Sequence, residues 1–193
     1  MISTIILAAG QSERMGQPKM LLSWGEQTVI EHVIITFLKA GIDDILVVTG
    51  GVREQVERAI DHYSVRKIHN QDYAAGEMLS SLQCGLRAMP LESQAVLIGL
   101  GDQPQILEQS IRSICEAYRE SKSPLIVPSF QMRRGHPWLV TRPLWGEILE
   151  LKAPESPRDF LNRHAAEIHY LNMDTPSILA DMDTPQDYQD SKP

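Results

Sequence analysis

Four short strand-like stretches, three of them apolar runs and one, Val65–Ile68, apolar only at its ends, each stop at a polar or glycine-bearing turn, and together they restrict the fold of this chain more than any other feature. Ile5–Ala9 precedes a helical pattern at Val29, Ile30, Val33, Ile34, Phe37 and Leu38 that stops at Gly41. Ile45–Val48 precedes Val52, Val56, Ala59 and Ile60, and Val65–Ile68 precedes Leu79, Leu82, Leu86 and Met89. Ala95–Leu100 is apolar throughout, as a strand covered on both faces should be. Strand and helix in alternation imply parallel strands joined by right-handed crossovers, with helices on both faces of the sheet. The expected class is therefore α/β. Ligands of such sheets bind at the carboxyl ends of the strands, so the turns after Ala9, Val48, Ile68 and Leu100 should share one face.

The second half is less regular. Leu125–Val127 and Trp138–Val140 read as strands around Arg133-Arg134-Gly135-His136-Pro137, and Glu167–Leu171 as a last strand. Leu144, Ile148, Leu149 and Leu151 suggest one helix, and Phe160 and Leu161 another. Asp181–Tyr188, D-M-D-T-P-Q-D-Y, reads as a loop entering a final helix, with Thr184 as N-cap and Pro185 at its first position. With no internal repeat and no low-complexity linker, 193 residues are expected to form a single domain, residues 1–193.

Composition excludes several functions. A formal net charge of -7 argues against coating nucleic acid, which needs a basic footprint. Cys84 and Cys115 lie in helical apolar patterns far from any C-x-x-C spacing, so both are expected in the core rather than on a metal or in a disulfide. The first apolar run is interrupted at Gly10 and Gln11, with no basic segment ahead of it. Neither a signal peptide nor a spanning helix is expected, and the location expected is cytoplasmic, away from membranes.

The chemistry begins in Ile5–Leu22, I-I-L-A-A-G-Q-S-E-R-M-G-Q-P-K-M-L-L. Small residues at Ala8, Ala9 and Gly10 let a flat ligand lie against the backbone, and N–H groups in such a turn can face phosphate oxygens. Arg14 adds a planar fork and Lys19 a mobile point charge, a pair suited to polyphosphate. The spacing is neither G-x-x-x-x-G-K-[ST] nor G-x-G-x-x-G. Asp102, in Gly101-Asp102-Gln103-Pro104, stands at the carboxyl end of an apolar strand, where a carboxylate can hold magnesium beside substrate phosphates. Taken alone, the same Asp suits a turn before proline equally well.

The stretch L-A-A-G-x-S-x-R-M-G-x-P-K-x-L-L, Leu7 to Leu22, closely resembles the signature loop of the MobA-like NTP transferases, the sugar-nucleotide and molybdenum-cofactor nucleotidyltransferases. That resemblance implies a three-layer Rossmann-like nucleotidyltransferase fold with a mostly parallel mixed sheet. It also implies a nucleotide-binding half over about 1–105 and an acceptor-binding half over about 106–193. By the same resemblance Arg14, Lys19 and Asp102 are catalytic, and Leu7, Ala8, Ala9 and Gly10 hold the nucleotide. Asn70–Leu86 is similar to the family's N-x-x-[WY]-x-x-G-M-x-x-S segment, which puts Gly76 and Ser81 near the base, although Glu77 leaves the register of Ser80 and Ser81 open. D-M-D-T-P resembles the family's D-I-D-T-P, implying a second magnesium ligand at Asp183, or else at Asp181, in addition to Asp102.

R-G-H-P resembles the acceptor-lining segment of the cytidylyltransferase-like branch, and S-P-R-D-F-L resembles the G-[AS]-R-x-L-L segment of the same branch, so Arg134 and His136 from the first and Arg158 from the second are expected around a phosphomonoester. In the resembling family L-A-A-G accompanies pyrimidine nucleotides and L-A-G-G the guanylyl branch, so Ala9 favours CTP, and the acceptor implied is molybdopterin, the molybdenum cofactor. The product would pass to a recipient molybdoenzyme or its chaperone. A sugar-phosphate or alcohol-phosphate nucleotidyltransferase, or a non-catalytic nucleotide- or cofactor-binding protein, remains the alternative.

Overall fold

The computed structural model describes residues 1–12, 15–75 and 77–193. Its strands are β1 (Ile2–Ala8), β2 (Ser23–Trp24), β3 (Gln27–Thr28), β4 (Ile45–Thr49), β5 (Arg66–His69), β6 (Ala95–Leu100), β7 (Leu125–Phe130), β8 (Arg133–Arg134), β9 (Trp138–Thr141) and β10 (Ile168–Asn172). The helices are α1 (Val29–Lys39), α2 (Arg53–Ala59), α3 (Glu77–Arg87), α4 (Glu108–Ser121), α5 (Trp145–Glu150), α6 (Pro157–Arg163) and α7 (Pro185–Ser191). The main sheet runs β10-β7-β9-β6-β1-β4-β5, with β8 paired to β7. β9 is antiparallel to both neighbours and β8 to β7, while every other pairing in the sheet is parallel. This is the mostly parallel mixed sheet expected.

Period-two alternation assigns the two faces. Ile6, Ala8, Val47, Leu97 and Leu139 pack with Val33, Phe37, Val56, Ile111 and Ile114 from α1, α2 and α4. Ile5, Leu7, Leu46, Val48, Val96, Ile98, Trp138 and Val140 pack with Leu82, Leu86, Ile148 and Phe160 from α3, α5 and α6. The sheet is thus covered on both sides, which makes three layers and explains the near-continuous hydrophobicity of its central strands.

Local signals behave as their chemistry requires. Gly41 follows α1 at φ +88°, the left-handed position that ends helices and suits glycine. Thr184 caps α7, accepting from the Asp187 N–H, and Asp187 accepts in return from the Thr184 N–H at 2.7 Å. In the sequence, α4 shows only as the helical setting of Cys115. Its buried Ile111, Ile114 and Cys115 make the missing layer element beside α1. Cys115 is buried, with its thiol pushed up to about 11 by burial, whereas Cys84 is half-buried; neither is in a disulfide. Among the described residues no helix is long and apolar enough to cross a membrane.

Candidate active site

At the carboxyl end of β1, Leu7 and, just past the strand, Ala9 face a cavity, while Ala8 between them does not line it. The cavity, of about 420 Å³, is lined by Leu7, Ala9, Gly10, Gln11, Ser12, Lys19, Met20, Tyr73, Ala74, Met78, Ser81, Leu100, Asp102 and Asp183. Its size falls within the range of small-ligand sites. Ala8 is buried beneath Gly101 instead, where a Gly101 Cβ would lie 3.2 Å from the Ala8 Cβ. At Gly10 a Cβ would meet no atom within 4 Å among the described residues, so their packing does not require its small size and leaves the backbone open to a ligand. Arg14 and Gly76 lie outside the described residues.

The loop closes on itself through Ser12, the S of the L-A-A-G-x-S signature, to which the resemblance attaches no role. Ser12 adopts φ +55°, its carbonyl accepts the Met15 N–H at 3.0 Å, and its Oγ accepts the Lys19 N–H at 3.1 Å. These bonds turn Lys19 inward. Its ammonium forms ion pairs with Asp102 and, at 3.2 Å, with Asp183, and its side chain is only 11% exposed. Burial by itself lowers the affinity of that amine for its proton, but the Asp102 and Asp183 carboxylates outweigh it and hold the pKa above the ordinary lysine value. Residues separated by 164 positions therefore meet at one charge.

Asp181 stands beside this group. Burial raises its pKa, the Gln103 hydrogen bond opposes that, and the nearby Asp102 and Asp183 charges reinforce the rise, leaving it above the usual carboxylate value. Gln103, itself 3% exposed, donates from Nε2 to Asp181 Oδ1 at 2.5 Å. Among the described residues no three His, Cys, Asp or Glu side chains form a closed metal cage. Two carboxylates converging on one ammonium nevertheless make a hard oxygen set already holding a cation. That donor set fits magnesium, which takes one or two carboxylates and completes its shell with phosphates and water.

On the opposite wall Asn70 organises the turn before α3. Its N–H donates to Thr49 O at 2.9 Å, its Oδ1 accepts the Asp72 N–H at 3.1 Å, and its Nδ2 donates to Ser80 Oγ at 2.8 Å and Ser81 Oγ at 3.0 Å. Both serines thus share Asn70, and it is Ser81 that lines the cavity. Tyr73 and Met78 join it there, unsignalled beyond the [WY] and M of the resembling segment. Behind them Gly50 touches Ala9 so closely that a Cβ would sit 2.4 Å from the Ala9 carbonyl oxygen.

Arg134, His136 and Arg158 do not line the cavity. Arg134 donates from Nε and Nη2 to Tyr170 Oη at 3.0 and 2.6 Å and from Nη1 to Asn162 Oδ1 at 2.7 Å. Its cation is already held by neighbours from β10 and α6. Arg158 is exposed near the start of α6. Burial pushes the His136 imidazole down to about 4, so the ring is neutral at physiological pH, while the backbone N–H of His136 donates to Ile178 O at 2.9 Å.

Known proteins resemble this chain over nearly its whole length. Residues 4–168 match the family model of the MobA-like NTP transferase domain. The molybdenum cofactor cytidylyltransferase of Escherichia coli (strain K12) is 31% identical over 192 residues, covering 99% of this chain and 95% of that protein. The crystal structure of Rv0371c from Mycobacterium tuberculosis H37Rv superposes with a TM-score of 0.86 at 26% identity, covering 98% of this chain and 96% of the other. A manganese complex of the same mycobacterial protein gives 0.82 with the same coverage. The chain belongs to the MobA-like NTP transferase family and is a nucleotidyltransferase.

Proposed function

We propose that this nucleotidyltransferase transfers a cytidylyl group from CTP to a phosphomonoester, molybdopterin, with release of pyrophosphate. The observation that carries the reading is the convergence of Lys19 on Asp102 and Asp183 at the edge of a cavity lined by the Leu7–Ser12 backbone. The near-full-length similarity to a molybdenum cofactor cytidylyltransferase supports the choice of substrates. Ala9, where the resembling guanylyl branch has glycine, supports CTP because its methyl narrows the space a purine needs.

In this reading the acceptor phosphate oxygen attacks the α-phosphorus in line. A P–O bond forms, the bond to the β-phosphate bridging oxygen breaks, and the electron pair leaves with pyrophosphate. Backbone groups of Ala9 and Gly10 and the Ser81 side chain orient the nucleoside, fixing the angle of attack. Lys19 neutralises charge on the departing phosphates, and Arg14 shares that role from the same loop. Asp102 and Asp183, with Asp181 beside them, would hold magnesium, which when bound offsets the phosphate charge that resists a nucleophile. The manganese complex of the mycobacterial protein is in keeping with a divalent ion here.

A thermal-shift panel with CTP, GTP, UTP and ATP in magnesium buffer tests the assignment. CTP should stabilise the protein most, and a clear preference for GTP would reject the cytidylyl reading.

A further inference from the structure

The R-G-H-P segment makes its closest contact with the C-terminal strap rather than with the cavity. Gly135 donates its N–H to Pro128 O at 2.9 Å, and His136 donates its N–H to Ile178 O at 2.9 Å. A Cβ at Gly135 would lie 2.4 Å from Ile178 O and 2.8 Å from both Ile178 Cβ and Cδ1. Gly135 is absent from the glycines with positive φ, so space, not backbone freedom, is what requires glycine here.

Ile178 is fully buried, in a short 3-10 turn, Pro176–Leu179. Three residues on, Asp181 accepts the Gln103 amide at 2.5 Å. Met182, 1% exposed, then packs with Trp24 and Val29, and Asp183 meets Lys19. The strap is therefore pinned at Ile178 on the β7–β9 side and at Met182 on the β2–β3 side, with the two aspartates between and just beyond the pins.

We propose that Gly135 is a positioning residue for the carboxylates: by seating the Ile178 backbone on the 135–136 peptides, it sets where Asp181 and Asp183 stand relative to Asp102. The inference rests on the reading of those carboxylates as the divalent-cation site. It gives R-G-H-P a part in the reaction that no contact with the acceptor is needed to explain. Replacing Gly135 by alanine would force Ile178 outward, and the displacement would pass along the five residues to Asp183.

The experiment compares wild type with Gly135→Ala by manganese titration in the presence of CTP, read by electron paramagnetic resonance, and by hydrogen exchange of the 178–183 amides without ligand. Gly135→Ala is expected to weaken manganese binding about tenfold or more, as loss of a group that orients metal ligands typically does. Exchange in the strap should quicken, and the metal dependence of turnover should move to higher concentration while the rate at saturating metal falls less. Unchanged exchange and unchanged manganese affinity would overturn the proposal. Faster exchange in a protein whose wild type binds no manganese would instead reject the cation-site reading and leave the anchoring by Gly135 standing. Should Gly135→Ala fail to fold, Ile178→Val removes only the terminal methyl and is expected to weaken manganese binding about twofold. No effect of that variant on either readout would count against the proposal.

Discussion

Lys19→Met removes the charge at the centre of the site while keeping most of the stem. Breaking a fully buried ion pair costs roughly 3–5 kcal/mol, and an exposed pair contributes about 0–1 kcal/mol. Here the Asp102 arm is near the first limit, with side chains 11% and 15% exposed, whereas Asp183 is 35% exposed and screened by solvent. Loss of the ammonium should therefore cost about 2–3 kcal/mol, most of it from stranding Asp102. For a domain of this size that lowers the melting temperature by about 5–10 °C. Urea denaturation at low salt measures the cost directly. The same charge competes with a divalent ion for the carboxylates, so magnesium should stabilise Lys19→Met more than wild type even as turnover falls about a hundredfold. In a double-mutant cycle, Lys19→Met with Asp102→Asn should be less destabilising than the sum of the two changes by at least about 1 kcal/mol. Wild-type stability of Lys19→Met, or strict additivity with Asp102→Asn, would show that the charges do not support one another.

Two further outcomes follow from contacts elsewhere. Gly50→Ala places a methyl 2.4 Å from the Ala9 carbonyl, well inside contact distance. Overpacking of this kind costs about 1–3 kcal/mol, and the displaced Ala9 should raise the KM for nucleotide more than it lowers kcat; an unaltered KM would show that Ala9 does not contact the nucleotide. His164 donates toward Glu147 at 2.8 Å and Glu167 at 2.9 Å. Burial lowers its pKa, but the two carboxylate bonds outweigh that and raise it above the ordinary histidine value of 6.5. A raised folded pKa means the stabilisation is complete below pH 6.5 and is lost as pH climbs through the folded value. The stability gap between wild type and His164→Gln, about 1 kcal/mol with half-exposed partners, should shrink over that window, and a gap that widens with pH would refute it.

How much of this was open to inspection in the sequence depends on how far apart the partners lie. β6 was read over its full Ala95–Leu100 span because a strand covered on both faces shows as an unbroken apolar run. The Thr184 cap and Pro185 start of α7 came from chemistry confined to four residues. Gly50 carried no such mark, since its need for glycine comes from the Ala9 backbone on the neighbouring strand. The bond from Gln103 to Asp181 spans 78 positions and the one from Lys19 to Asp183 spans 164, beyond any periodicity. Family resemblance, rather than pattern, drew attention to both aspartates. Arg134 shows the same scale from another place: its guanidinium bonds Tyr170 and Asn162, 36 and 28 positions away, partners that no local pattern marks.

The central claim is that this site moves a cytidylyl group onto a phosphomonoester. Its most direct test is quantitation of pyrophosphate released by the full chain with magnesium, CTP and molybdopterin, with identification of the phosphorus-containing product. The account predicts one pyrophosphate per cytidine-diphosphate-linked pterin formed, and loss of both with Asp102→Ala. Absence of pyrophosphate, or equal release without the acceptor, would contradict it.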